Sequence, residues 1–209
     1  MMHLNELVDL PESTMQFDPE KHAYTVGGRR LVSVTQVMQP LTRMIYEGVD
    51  TITMSTAANR GSRAHEQIEH IVKYGVEEVD PDTEPYIRAY KNFCRDYDPM
   101  WYESEYRTYH KNLRYAGTID LIGSINDHPE DCVDIVDLKT TQRIHPKLLS
   151  CQLAAYAEAL RTQGVKVRDV YGLQLKKDGS YVFVKIKEDM KLFLHCYAVW
   201  GAAMEEKNG

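Results

Sequence analysis

Two short apolar runs, each interrupted by an acid, set the tightest limit on how this chain can fold. Tyr115-Ala-Gly-Thr-Ile-Asp120-Leu-Ile-Gly123 and Val133-Asp-Ile-Val-Asp137-Leu-Lys139 are dense in the residues that fill a sheet interior. Runs of this kind read as buried strands, whereas an exposed face would alternate with polar residues. An ionised carboxylate in such a strand loses its water, and the cost stands unless a side chain or a metal ion supplies positive charge. Lys139 lies two residues beyond Asp137, and strand side chains alternate, so both project from one face. The pattern brings Asp120, Asp137 and Lys139 to one point.

The flanking segments predict the frame around that point. Residues 15–26, the Gly27-Gly28 turn and residues 31–34 form a short hairpin. Ser33 and Thr35 are alternative N-caps for a brief helix from Gln36, which Pro40 is expected to interrupt. Helices follow over 51–73, stopped by Gly75, and over 83–97, with Gly61 marking a break or a close approach in the first. Strands over 100–110, 113–124 and 132–139 make an antiparallel meander, its second connection being the polar loop 126–131. A helix over 146–163, ended by Gly164, precedes strands at 167–175 and 181–186. A last helix over 188–204 buries Met190, Phe193, Leu194, Tyr197 and Trp200. The expected class is α/β (α+β): a mixed central sheet flanked by helices, with an N-terminal helical elaboration.

A chain of 209 residues suits a single domain over 1–209: an N-terminal hairpin and short helix (1–50), a helical part (51–99), a sheet and helix (100–187) and a C-terminal helix (188–209). The net charge of −6 argues against a surface that grips nucleic acid everywhere, though not against a local basic groove. Cys94, Cys132, Cys151 and Cys196 are scattered with no Cys-x-x-Cys pair, which predicts free thiols and no iron–sulfur cluster. No Gly-x-x-x-x-Gly-Lys-Ser/Thr loop is present, so no nucleotide cofactor is expected. The apolar runs are too short to span a bilayer and the first residues lack a secretory pattern, giving a cytoplasmic expectation with no membrane partner.

Carboxylates that gather one or two Mg²⁺ or Mn²⁺ ions suit phosphodiester hydrolysis, in which a water is activated and a leaving oxyanion stabilised. Asp120 and Asp137 are the primary candidate ligands, with the Leu138 carbonyl as a further oxygen donor. Lys139 is placed to hold the water or to neutralise charge growing on the phosphate. Gln152 and Tyr156, four residues apart, stack on one helix face and address substrate or Lys139. His65, paired at the same spacing with Glu69, is a candidate third ligand. Arg60 and Arg63, about a turn earlier, are expected to bring positive charge to a bound phosphate. Glu103 and Glu105 alternate on one strand face, and Glu105 is the preferred supporting acid. Taken singly, each member has an ordinary structural role: a surface ion pair, a packed histidine, a core tyrosine.

Taken in order, Gly61-Ser-Arg-Ala-His65, Gly117-Thr-Ile-Asp120, Asp137-Leu-Lys139 and Gln152-x-x-x-Tyr156 resemble the motifs of the RecB-like branch of the PD-(D/E)xK nuclease superfamily, which includes Cas4 and mitochondrial genome maintenance exonucleases. Phe17-Asp-Pro-Glu-x-His-x-Tyr24 and Ser33-Val-Thr35 are similar to the opening of phage-encoded exonucleases of this type. The resemblance implies a restriction-endonuclease-like core. It also implies His65, Asp120 and Asp137 as ligands of Mg²⁺ or Mn²⁺, Lys139 as catalytic lysine, and Gln152 and Tyr156 as an accessory pair. The expected function is a metal-dependent DNA exonuclease, with single-stranded DNA or DNA ends, and other replication or recombination proteins, as partners in a host cytoplasm. The alternative is a catalytically silent nuclease fold that binds nucleic acid or a protein.

Overall fold

The computed structural model describes residues 10–11, 15–47, 51–77, 79–126 and 131–208. Along the chain run β1 (Gln16–Asp18), β2 (Ala23–Val26), β3 (Arg29–Ser33), α1 (Val34–Val37), α2 (Gln39–Ile45), α3 (Thr51–Tyr74) and α4 (Glu84–Tyr97). They are followed by β4 (Met100–Tyr109), β5 (Tyr115–Ser124), β6 (Val133–Lys139), α5 (Pro146–Arg161), β7 (Val167–Leu175), β8 (Tyr181–Lys185) and α6 (Met190–Asn208). Residues 127–130 of the polar connection expected at 126–131, and residues 1–9, 12–14 and 48–50 of the N-terminal segment, lie outside the described residues.

Among the described residues the eight strands make one mixed sheet. The meander β4-β5-β6 is antiparallel, as its short connections require, while β7 returns beside β6 in parallel after the α5 crossover. α5 and α6 cover one face, where Ile119, Ile135, Leu153 and Phe193 meet. α3 and α4 cover the other, where Ile68, Phe93, Val136 and Leu138 meet. The mixed α/β class expected from the sequence is therefore the one observed.

The free edge of β5 creates the site. β4 pairs with β5 along nearly its whole length, but the opposite edge of β5 is shared: β3 takes Tyr115 and Ala116, and β6 takes only Leu121 to Gly123. Between them residues 117–120 have no strand neighbour on that side, and β5 and β6 diverge into a fork at Asp120 and Asp137.

Three local details refine or correct the expectation. Ser33 caps α1 through a reciprocal box with Gln36, so the helix starts at Val34. Pro40 opens α2 at its first turn, where a missing N–H costs nothing. Leu194, expected in the core, is 42% exposed, because α6 turns Phe193 and Cys196 inward instead.

Candidate active site

β6 carries two buried acids that share one apolar run and meet different fates. Asp134 faces the α3/α4 side with the even-numbered residues of β6, where Arg168 donates to both its oxygens and the Ile125 amide adds a third bond. Asp137 and Lys139 face α5. Lys139 Nζ lies 2.5 Å from Asp137 Oδ2 and donates to Gln152 Oε1 at 3.4 Å, and Gln152 Nε2 donates to Tyr156 Oη at 3.2 Å. The i, i+4 spacing on α5 and the period of two on β6 thus join into one polar chain.

At the fork, Asp120 substitutes for the missing strand pairing. Its Oδ2 accepts from the Leu138 amide at 2.6 Å, and its Oδ1 lies 3.4 Å from His65 Nδ1. His65 reaches it because α3 approaches closely at Gly61, one turn earlier on the same face. A Cβ at Gly61 would lie 2.9 Å from Thr140 Oγ1, so the helix runs unbroken through Gly61 and the glycine serves the close approach.

Glu105 completes the group. The β4–β5 ladder pairs Ser104 with Leu121 and Tyr106 with Ile119; Glu105, between them, has a left-handed backbone with φ 50°. That conformation is rare for a residue with a side chain and costs about 1–3 kcal/mol, so the surrounding structure must hold it. Here it turns the carboxylate toward Asp120. Glu105 Oε1 stands 3.9 Å from His65 Nδ1, and ligand atoms of His65, Glu105 and Asp120 all lie within 4.8 Å of one another.

Electrostatics follows from this crowding. Burial pushes the Asp137 carboxyl up to about 6 despite Lys139 beside it. Burial, then the charge of Asp120, pushes Glu105 up to about 7. For Asp120 burial works against ionisation, but His65 and Lys139 outweigh it and hold the pKa below the ordinary value. Burial likewise opposes the charge on His65 and on Lys139, yet the neighbouring carboxylates lift both pKa values. Three acids sharing two cationic side chains in a low-dielectric fork present the charge surplus that a divalent cation neutralises. Two carboxylates and an imidazole suit a divalent cation.

Several expected residues sit differently. Asp137 is engaged by Lys139, and Glu105 stands in the close group with His65 and Asp120 instead. Leu138 contributes its amide to Asp120. Glu69 accepts from Lys73 at 2.6 Å, and both line a cleft of about 650 Å³ that runs past Glu105, Thr118 and Tyr156. Arg60 and Arg63 are not beside His65, which corrects the expectation drawn from their place in the chain. At 3.6 residues per turn they point about 140° and 160° away from it. Arg63 pairs with Asp80 and Asp82, and Arg60 lies over the Tyr86 ring. Glu105 was legible only as a strand acid, since nothing local in the sequence announces a left-handed residue there.

The described residues contain no helix long and apolar enough to cross a membrane. Residues 41–198, most of the chain, match the family model of the PD-(D/E)XK nuclease superfamily. No curated protein matches. Among solved structures, the alkaline exonuclease LHK-Exo from Laribacter hongkongensis superposes with a TM-score of 0.46 at 13% identity, over 85% of this chain and 89% of that one. LHK-Exo in complex with dAMP gives 0.45 at 12% over the same shares. SSO0001 gives 0.49 at 15%, over 86% of this chain and 78% of that one.

Proposed function

This chain belongs to the PD-(D/E)XK nuclease superfamily, and from that premise we propose that it is a Mg²⁺- or Mn²⁺-dependent exonuclease acting on DNA. The observation that carries this reading is the joining of two sets at one strand fork: His65, Glu105 and Asp120 as a group sized for a cation, and the Asp137–Lys139–Gln152–Tyr156 chain beside it. His65, Glu105 and Asp120 would hold the ion, with Asp137 joining when Lys139 turns to substrate. A bound divalent cation makes a coordinated water more acidic and draws charge off a phosphoryl oxygen.

The chain's own groups do the rest. Lys139, kept charged by Asp137 and Asp120, presents an ammonium to the phosphate as negative charge grows on it. Gln152 fixes the direction of that ammonium, and Tyr156 fixes the Gln152 amide. Tyr24, Gly117, Thr118 and Tyr156 line the cleft that would take the sugar–phosphate strand, with the Tyr156 ring packed directly on Gly117. A catalytically silent fold would have no use for a lysine held so close to the acid group.

End-labelled single- and double-stranded DNA, incubated with Mg²⁺ or Mn²⁺, tests the reading. Mononucleotides or short products released from an end are expected with wild type, and no cleavage by Lys139→Ala of unchanged circular dichroism. Wild-type protein inert on both substrates with both metals, or equal cleavage by Lys139→Ala, would overturn it.

A further inference from the structure

On the far face of α3 from His65 is a second concavity of about 480 Å³, lined by Asn59, Arg60, Arg63, Asp82, Tyr86 and Lys177. Three of these side chains are cations and one is an acid, in a chain whose net charge is −6. Arg63 is turned to Asp80 and Asp82. Two other polar atoms in this wall are buried and have no hydrogen-bond partner: Nε of Arg60 and the hydroxyl of Tyr86, a residue only 1% exposed. Buried donors left unmatched each cost on the order of 1–3 kcal/mol, so two of them on residues that line one concavity favour an acceptor seated there. A guanidinium, an ammonium, an amide and a phenol among the residues lining one concavity suit a tetrahedral oxyanion.

Its place in the fold says which oxyanion. Arg60 adjoins Gly61, which touches Thr140, the residue after Lys139. Lys177 follows β7 at the end where Gln174 pairs with Lys139. The concavity and the cation group therefore open at the same end of the sheet, separated by the width of α3, about 10 Å.

We propose that this concavity is a phosphate seat for the nucleic acid strand, holding a backbone phosphate about two to four nucleotides from the bond that is cut. The identity of the ligand rests on the nuclease reading; the anion chemistry of the seat does not. Seating a phosphate here fixes the register of the strand over α3 while the scissile phosphate meets Lys139.

Binding of a fluorescent single-stranded 20-mer, followed by anisotropy in Ca²⁺ across a salt series, tests the seat independently of cleavage. Lys177→Ala and Arg60→Gln are expected to bind about 3- to 10-fold more weakly, with a salt slope shallower by about 0.7 for the lost phosphate contact. Lys177→Arg should restore both. Tyr86→Phe removes an unmatched buried hydroxyl, so it should weaken binding while leaving the melting temperature equal or higher, a combination that a packing role would not give. One neutral methylphosphonate linkage at a fixed position should weaken wild type and leave Lys177→Ala unaffected. Unchanged affinity and slope in Lys177→Ala and Arg60→Gln overturns the seat. If no single linkage matters, yet inorganic phosphate raises the melting temperature of wild type and not of Lys177→Ala, the seat takes a free anion and the strand assignment falls. Failure of the nuclease reading is seen separately, as absence of metal-dependent cleavage with binding intact.

Discussion

Gly117 lies against the ring of Tyr156 so closely that a Cβ at position 117 would stand 2.5 Å from Tyr156 Cε1 and 3.3 Å from Cδ1. The contact couples strand β5, which carries Asp120, to helix α5, which carries Gln152. Gly117→Ala must push a buried ring aside, an overpacking that costs about 1–3 kcal/mol. Its melting temperature is expected to fall by about 2–10 °C. Because Tyr156 holds Gln152, kcat should fall further than the loss of folded protein explains. Calorimetric unfolding with single-turnover cleavage checks both, and wild-type stability and rate in Gly117→Ala would exclude the coupling.

The metal-free protein should lose stability as pH rises from about 5 to 8. Asp137 is held up to about 6 and Glu105 up to about 7, both by burial first. A raised carboxyl stabilises the fold fully below its unfolded pKa and stops doing so as pH passes its folded value, because the folded state then binds the extra proton no longer. His65, also raised, acts in the same direction; His110, lowered by burial, acts against it. Saturating Mn²⁺ should invert the trend, since ligation requires the deprotonated acids. Thermal denaturation at several pH values with and without Mn²⁺ tests this, and a metal-free melting temperature that climbs steadily to pH 8 would refute it.

Glu105→Gln separates a ligand from a structural acid. The amide keeps shape but carries no charge, so the metal-free variant should melt higher than wild type at pH 8. Its affinity for Mn²⁺ should drop about 10-fold or more. Titration calorimetry reads the second effect; a variant that binds Mn²⁺ like wild type would remove Glu105 from the cation group.

Arg168→Ala should damage the fold and spare the chemistry. It strips the cationic partner from Asp134, which is 0% exposed, and stranding a buried carboxylate costs about 3–5 kcal/mol. A large fall in urea midpoint is expected, with the cleavage rate per folded molecule near that of wild type. Normal stability would mean that Asp134 finds another partner.

What the sequence determined by itself is what covalent geometry repeats locally. A strand period of two set Asp137 and Lys139 on one face, a helical period near four set Gln152 with Tyr156, and Ser33 with Gln36 formed a cap from four consecutive residues. The same period also placed Arg60 and Arg63 away from His65, so their nearness in the chain misled where the helix geometry would not have. Tertiary structure alone decided the rest. Asp134 and Asp137 share one apolar run, and only the neighbours that the fold brings to each face, Arg168 of β7 against Asp134 and the Lys139–Gln152 pair beside Asp137, make one a structural anion and the other a site acid. Asp120 meets the Leu138 amide because β5 and β6 part there, and Glu105 turns inward through a single left-handed residue. Such features depend on where a strand loses its neighbour and which helix crosses the gap. Those are long-range contacts, whose free energy no short stretch of sequence encodes.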